Sequence, residues 1–429
     1  MLTRLFFVSL LVTTLAVADD VDAFMDGFDE EPLSTVVQPQ KEEAKFSLSN
    51  YGIEGKFKQE FAYSYQNNAP HDRFSSLRTS LFLEYNRDLW KSFKFKINGN
   101  GFYDLSYKMK GEEEFTKEEL NALQSEVELF DAYIQGSITD DLDIKLGRQV
   151  IVWGKSDTIR VVDVLNPLDN RRPGMVDIED LRLSSAMAKF DYYYKNWDIA
   201  PIVILEQRED KNPPYGGDFN PSPIKQPLQK KPNDVTYALN ISGEFTGFDL
   251  DFYYAHVYPN FEFYPRTDVN IENKIDMYGA AIAYVYGSLL LKGEAAYMQN
   301  YEFLQTGDEK FDRLDMLLGF EYNGIADTTL SLDIANKRFV NTNEFKKDNY
   351  QGAFRVTSDF KNATVHLNYL VSAFGDTFSD GGYQRAWIVY DASDSIKTTF
   401  GVVDYLKGNS FFDAISDNDM LFYDISYSF

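Results

Sequence analysis

Residues 420–429, at the end of the chain, read MLFYDISYSF. Leu421, Tyr423, Ile425, Tyr427 and Phe429 take every second position, up to the last residue. Side chains two apart lie on the same face of a β-strand, so this strand meets an apolar environment on one face and a polar one on the other. A last strand left as a free edge would offer its backbone to other chains. Closing the sheet on itself removes the edge, and the rest of the chain repeats the pattern that closure needs.

Ile53, Phe57, Phe61 and Tyr63 alternate with Glu54, Lys56, Lys58 and Glu60. Leu77, Leu81, Leu83 and Tyr85 do so with Arg78, Ser80 and Glu84, and Phe93, Phe95, Ile97 and Tyr103 with Lys94, Lys96, Asn98 and Asn100. Short turns near 88–91, 139–141, 195–196, 246–247, 287–288, 323–327, 361–363 and 392–395 alternate with longer polar loops at 66–74, 108–124, 154–180, 208–234, 259–273, 302–311, 341–347, 375–382 and 407–419. Each short turn joins two strands; with the first and last strands the total is about 18. Strands of roughly 10–13 residues are long enough to cross a membrane at a tilt. Alternation weakens over 348–359 and 395–404, which leaves 16 strands as the alternative. The expected fold is therefore all-β: a transmembrane antiparallel barrel with short periplasmic turns, long extracellular loops and one loop folded into the lumen. Aromatic residues crowd the short-turn side (Tyr85, Trp90, Tyr192 to Tyr194, Trp197, Phe245, Phe248, Tyr284, Tyr286, Phe320 and Tyr322), as rings at one headgroup level would. A secreted β-sandwich or β-helix has no reason to favour one end.

Composition agrees. Mean hydropathy is −0.37 and no later apolar run reaches 18 residues, which excludes helical spans. Aromatic residues nevertheless make up 16%, and there are 0 Cys to hold a disulfide framework. Arg4, the apolar run Leu5 to Val17 and Ala16-Val17-Ala18 read as a signal peptide over 1–18; its removal takes the net charge from −25 to −26. Residues 19–50 read as an acidic, flexible periplasmic segment, too short for a folded plug domain, and 51–429 as the barrel. An acidic balance of this size points away from nucleic acid as a partner.

No catalytic residues, metal ligands or cofactor are legible, and the chain does not read as an enzyme. His71, His256 and His366 lie far apart in sequence, and the acidic runs 112–114 and 118–119 look like a solvated loop. An outer-membrane lipase or protease is the least supported reading. The polar face of the strands carries both signs: Lys56, Lys58, Arg78, Lys94, Lys96, Lys292, Arg338 and Arg355 among Glu54, Glu60, Glu84, Asp249, Asp251, Glu294 and Asp333. An 18-stranded barrel has a bore wide enough for an aqueous channel unless something fills it.

The candidate is 147–182, GRQVIVWGKSDTIRVVDVLNPLDNRRPGMVDIEDLR, which contains the third long loop, between strands five and six. Arg148, Lys155, Arg160, Arg171, Arg172 and Arg182 stand among Asp157, Asp163, Asp169, Asp177, Glu179 and Asp180. Opposed charges across a narrow bore create a transverse field that orients polar solutes. Together with Trp153 they form the expected substrate-binding and constriction set. The alternative is a solvated loop whose surface ion pairs contribute about 0–1 kcal/mol each. Trp153, Ile159, Val161, Val162, Val164 and Leu165 are too apolar for a free loop and favour the inward fold.

Gly147-Arg148-Gln149, Trp153-Gly154, Asn166-Pro167 with Asp169, and Arg172-Pro173-Gly174 resemble a segment of an uncharacterised (domain-of-unknown-function) family of proteobacterial outer-membrane β-barrel proteins. Alginate-export barrels are distantly similar, and a third loop folded inward resembles the constriction of trimeric porins. The resemblance implies a porin-like channel for small hydrophilic solutes in the outer membrane of a Gram-negative bacterium, in contact with lipid and lipopolysaccharide and compatible with a homotrimer. Tyr423, Ile425, Tyr427 and Phe429 resemble the terminal signal read by the barrel assembly machinery. The alternative it implies is a conduit for a hydrophobic or polymeric substrate that works with an inner-membrane transporter, with residues 19–50 as a hatch like that of fatty-acid transporters. The chain departs from polysaccharide exporters in its shortness and its mixed-sign lumen.

Overall fold

The computed structural model describes residues 51–90, 92–177, 180–225, 231–260, 273–302, 310–340 and 347–429. The expected signal peptide (1–18), the acidic segment (19–50) and Glu179 lie outside them. Eighteen strands follow one another: β1 (Ile53–Ser64), β2 (Arg73–Trp90), β3 (Phe93–Asp104), β4 (Ser125–Thr139), β5 (Leu142–Gln149), β6 (Ser185–Tyr194), β7 (Trp197–Ile204), β8 (Thr236–Phe245), β9 (Phe248–Val257), β10 (Ile275–Tyr286), β11 (Leu289–Glu302), β12 (Lys310–Ile325), β13 (Thr328–Phe339), β14 (Asp348–Phe360), β15 (Val365–Phe374), β16 (Gly382–Ser393), β17 (Ile396–Leu406) and β18 (Met420–Ser428). Each pairs antiparallel with the next, and β18 returns to β1, so the sheet is a closed barrel. The two stretches of weak alternation are strands β14 and β17, which rules out the 16-stranded alternative.

Alternation sets inside from outside. Phe57, Phe61 and Tyr63 of β1 are exposed whereas Ala62 and Ser64, on the opposite face, are buried. The outward residues are apolar or aromatic around the wall, and at the short-turn end Trp90, Tyr194 and Tyr286 are 69%, 53% and 71% exposed. In hydrocarbon such a face is solvated and every backbone group is paired within the closed sheet.

The closing seam depends on one small residue. Gly55 and Phe429 exchange two backbone hydrogen bonds of 2.9 Å, and the Phe429 ring occupies the space where a Cβ on residue 55 would stand, with ring carbons 2.3–2.9 Å from it. Only glycine there lets the last ring lie flat on the first strand.

Strand lengths depart from expectation at both extremes. β2 has 18 residues and β12 has 16, whereas β5 and β7 have 8. Each of the two leads into a segment that leaves the wall: after Gln149 at the end of β5, and after Ile204 at the end of β7, the chain turns into the bore. Pro201 adds a local fault, since it has no N–H to donate, and the β6–β7 ladder skips from Lys189↔Ile202 to Tyr192↔Ile199.

The bore is less uniformly polar than the sequence suggests. Lumen-side positions of β6–β14 hold Met187, Ile202, Ala238, Ala255, Met277, Ala281, Ala296, Met298, Leu317, Ala335 and Ala353, all buried. Nothing in water could leave that wall bare; it is apolar because protein covers it.

Candidate functional site

The covering chain is 150–184. Ile151, Trp153, Ile159, Val161, Val162 and Leu165 join the alanine and methionine wall in one cluster, with Trp153 4.9 Å from the ring of Tyr253. Small wall residues let the loop backbone approach closely, and Glu294 on β11 fixes it there. Its Oε1 accepts N–H bonds from Lys155 (2.6 Å) and Ser156 (2.8 Å). Gly154, at φ +94°, makes this approach feasible, because a Cβ would stand 2.9 Å from both carboxylate oxygens. Around it Ser156 and Thr158 donate to Asp333 of β13 (2.7 and 2.5 Å), Lys155 pairs with Asp251 of β9 (2.6 Å), and Lys292 of β11 pairs with Asp157 (3.0 Å). The neck of the loop is closed by Asn166, whose Nδ2 donates to the Ile151 carbonyl at 2.5 Å.

The chain then crosses to the opposite wall. Tyr405 of β17 donates its hydroxyl to the Pro173 carbonyl (2.6 Å), and Arg172 reaches Glu60 of β1 (2.6 Å). Burial lowers the Arg172 guanidinium, but Glu60 outweighs it and keeps the group above its ordinary range. Asp177 lies 2.5 Å from Arg385 of β16 and 3.7 Å from Arg355 of β14. Beside it Asp180 is raised by burial first and by the charge of Asp177 second, while Lys56, Lys58 and Arg385 draw it back. Lys58 itself pairs with Glu60 (3.3 Å) and with Asp424 of β18 (3.4 Å). A seam of opposed charges therefore runs between the far limb of the loop and the β14–β18–β1 wall.

A second connection enters the bore, where the sequence alone predicts only a polar loop over 208–234. Residues 205–225 run alongside the first: the Lys211 N–H donates to the Leu168 carbonyl (2.8 Å), the Asn170 N–H donates to the Lys211 carbonyl (2.7 Å), and Asp210 accepts from the Leu168 N–H (2.7 Å). The Lys211 ammonium meets Glu126 (2.8 Å) and Glu128 (2.7 Å), and Arg208 meets Glu128 (2.6 Å). Phe219 lies at the far end, buried 5.2 Å from Tyr405 in a cluster with Trp387, Leu370, Ile415 and Met420. Phe219 among Gly, Pro and Asn was the available sequence signal.

The expected residues fall into separate places. Trp153, Lys155 and Asp157 anchor the near limb. Arg160, Asp163 and Arg182 form a knot, with both guanidiniums on Asp163 Oδ2 (3.2 and 2.7 Å). Arg171 binds Asp169 (2.5 Å) and Glu126 (2.7 Å); burial opposes both charges, yet the pair holds Arg171 above and Asp169 below its ordinary range. Arg172, Asp177 and Asp180 reach the charged seam. Arg148 does not belong with them. It shares the strand face of the exposed Leu146, outside the barrel, and forms a bidentate pair with Glu206 after a double pairing of Leu205 and Glu206 to the Ala186 carbonyl. Arg385 and Asp424 complete the seam without having been expected.

The three histidines do have carboxylate neighbours: His71–Glu119 at 2.9 Å, His256–Asp276 at 2.8 Å and His366–Asp359 at 2.6 Å. Among the described residues no Ser or Thr hydroxyl bonds to any of these rings, and no group of three metal-ligating side chains occurs.

A profile described as "Protein of unknown function (DUF1302)" matches residues 42–429. Among solved structures, the outer membrane protein OpdK from Pseudomonas aeruginosa aligns with a TM-score of 0.56 at 9% identity, over 88% of this chain and 98% of that one. OccAB3 from Acinetobacter baumannii gives 0.53 at 11% identity over 88% and 98%, and OccAB1 of the same organism 0.52 at 9% over 88% and 94%. At such identities the likeness is one of fold. No curated protein matches.

Proposed function

The chain belongs to the DUF1302 family, and on that premise we propose that it is a porin-like channel in the outer membrane of a Gram-negative bacterium, passing small hydrophilic solutes. The observation that carries this reading is the charged seam. Asp177 and Asp180 on the loop face Lys58, Arg355 and Arg385 on the wall, while the apolar halves of both inward loops are consumed in packing. Solute passing the loop would meet charge of both signs across a short gap, the arrangement that orients polar molecules. Because the apolar side chains of the bore are already packed against the loops, a conduit for hydrophobic substrate has less support.

Tyr423, Ile425, Tyr427 and Phe429 are the proposed assembly signal, all four outward and exposed on the closing strand. The proposed partners are outer-membrane lipid and lipopolysaccharide along the apolar wall, the barrel assembly machinery, and a homotrimeric arrangement.

The test is reconstitution of the mature chain in planar bilayers. Discrete conductance steps are expected, and removing part of 157–176 should enlarge them. No steps, with no effect of the deletion, would overturn the proposal.

A further inference from the structure

On the loop end of the inward segment, a cavity of about 40 Å³ lies between 160–170 and the wall of β10–β12. Its volume is room for roughly three waters, or for one end of a larger solute. Arg160, Asp163, Asn170, Asp210, Asn260 and Tyr301 supply its polar and aromatic lining. The cavity belongs neither to the anchors on β9–β13 nor to the charged seam.

Its chemistry is that of a neutral site. Arg160 and Arg182 share Asp163, and the second of these two positive charges is matched by Asp210 in the lining. Across the cavity Arg313, also in the lining, is compensated by Asp315 at 2.8 Å. A bound anion would gain little net charge to meet and would lose its hydration. Hydrogen-bonding capacity is nevertheless left over, and of both kinds. Arg160 spends Nε on Asp163 and Nη2 on the carbonyls of Asp163 and Asn166, which leaves the N–H groups of Nη1. Asp163 accepts at Oδ2 and its Oδ1 is shut off from solvent, so the open acceptor is the amide oxygen of Asn170, which no hydrogen bond among the described residues engages. A hydroxyl group both accepts and donates and carries no charge. Vicinal hydroxyls can take a guanidinium N–H of Arg160 and donate to the Asn170 amide oxygen, while their C–H faces lie on Val161, Val164 and Met298 of the same cavity.

We propose that this cavity binds a neutral polyhydroxylated solute, a small sugar or polyol, and so gives the channel a saturable site before the charged seam. The inference rests on the channel reading for its role but not for its test. Purified full-length chain in detergent is titrated with glucose, sorbitol and succinate by calorimetry, with bilayer recordings in parallel. Saturable binding of glucose or sorbitol in the millimolar range is expected, with no competition by succinate. Arg160→Gln should weaken it at least tenfold. Asn170→Ala, at a side chain whose only bond is a marginal 3.5 Å contact to Asn212, should weaken it severalfold while the fold is kept. Lack of saturable polyol binding up to roughly 100 mM, far beyond the millimolar range, would overturn the proposal. Preferential binding of succinate, or binding indifferent to both substitutions, would do the same. If conductance steps appear without polyol binding, only this inference falls; if binding is found without steps, the channel reading falls instead.

Discussion

Glu294 is the point at which the inward loop is most exposed to a single substitution. Its Oε1 accepts from the backbone of Lys155 and Ser156 inside a packed wall. A hydrogen bond to a charged acceptor contributes about 1.5–3 kcal/mol net, so Glu294→Ala should destabilise docking of the near limb by about 3–6 kcal/mol. At 1.36 kcal/mol per factor of ten, local opening becomes about 150- to 25,000-fold more frequent. Glu294→Gln keeps an acceptor without the charge and should lose about half as much. The β11 ladder does not involve this side chain, so the barrel should stay closed. Amide hydrogen exchange followed by mass spectrometry reads the effect at Lys155 and Ser156, and single-channel recordings should show larger, noisier steps. Barrel integrity is checked by the faster gel mobility of the unheated protein. Unchanged exchange at those two amides in the alanine variant, with an intact barrel, would refute the idea that Glu294 holds the loop.

Three further outcomes are expected. Asp177→Asn should leave Arg385 and Arg355 without their loop partner and shift the reversal potential in a salt gradient toward anions, by several millivolts or more; an unmoved potential counts against a role for the seam. The second inward connection should be sensitive to pH through His71: burial lowers this imidazole, but Glu119, with the charge of Asp218 on that connection behind it, outweighs burial and raises it above 6.5. Its contribution is therefore complete below about pH 6.5 and lost as pH rises through the raised value, so loop residues 205–225 should be cut by protease faster at pH 9 than at pH 6, and His71→Gln should flatten that difference. Finally, Gly55→Ala should block the Phe429 ring and cut the yield of folded barrel in cells severalfold, as should Phe429→Ala; normal yield of both variants would separate the seam from assembly.

Much of the barrel could be read in advance because its signal is local. Phe57, Phe61 and Tyr63 declare an outward face without knowledge of any other strand, and turn residues at Lys195-Asn196 or Gly287-Ser288 mark the hairpins. The bore was harder. Ala238, Ala255, Ala296 and Ala335 occupy lumen positions, yet alanine carries little hydropathy, so charged neighbours such as Glu294 and Asp333 dominated the expectation. Arg148 stands in the Gly-Arg-Gln strand that leads into the loop and so groups with the loop charges in sequence, whereas strand phase puts it beside Leu146, outside the barrel. Phe219 passed unnoticed because one aromatic among turn formers has no period to betray its destination.

The sequence by itself determined that the chain would be an antiparallel barrel and which faces meet hydrocarbon, narrowed the strand count to 18 or 16, and favoured an inward path for the apolar loop 154–180. These follow from period-two patterning and turn chemistry, which act over a few residues. Only the tertiary structure decided where that segment goes, because contacts such as Glu294 to Ser156, Tyr405 to Pro173 and Arg385 to Asp177 join positions 138 to 232 residues apart. No local pattern selects one carboxylate among many on the lumen wall. The closed barrel does, by bringing opposite strands to either side of one loop, so that its charges find partners on both walls.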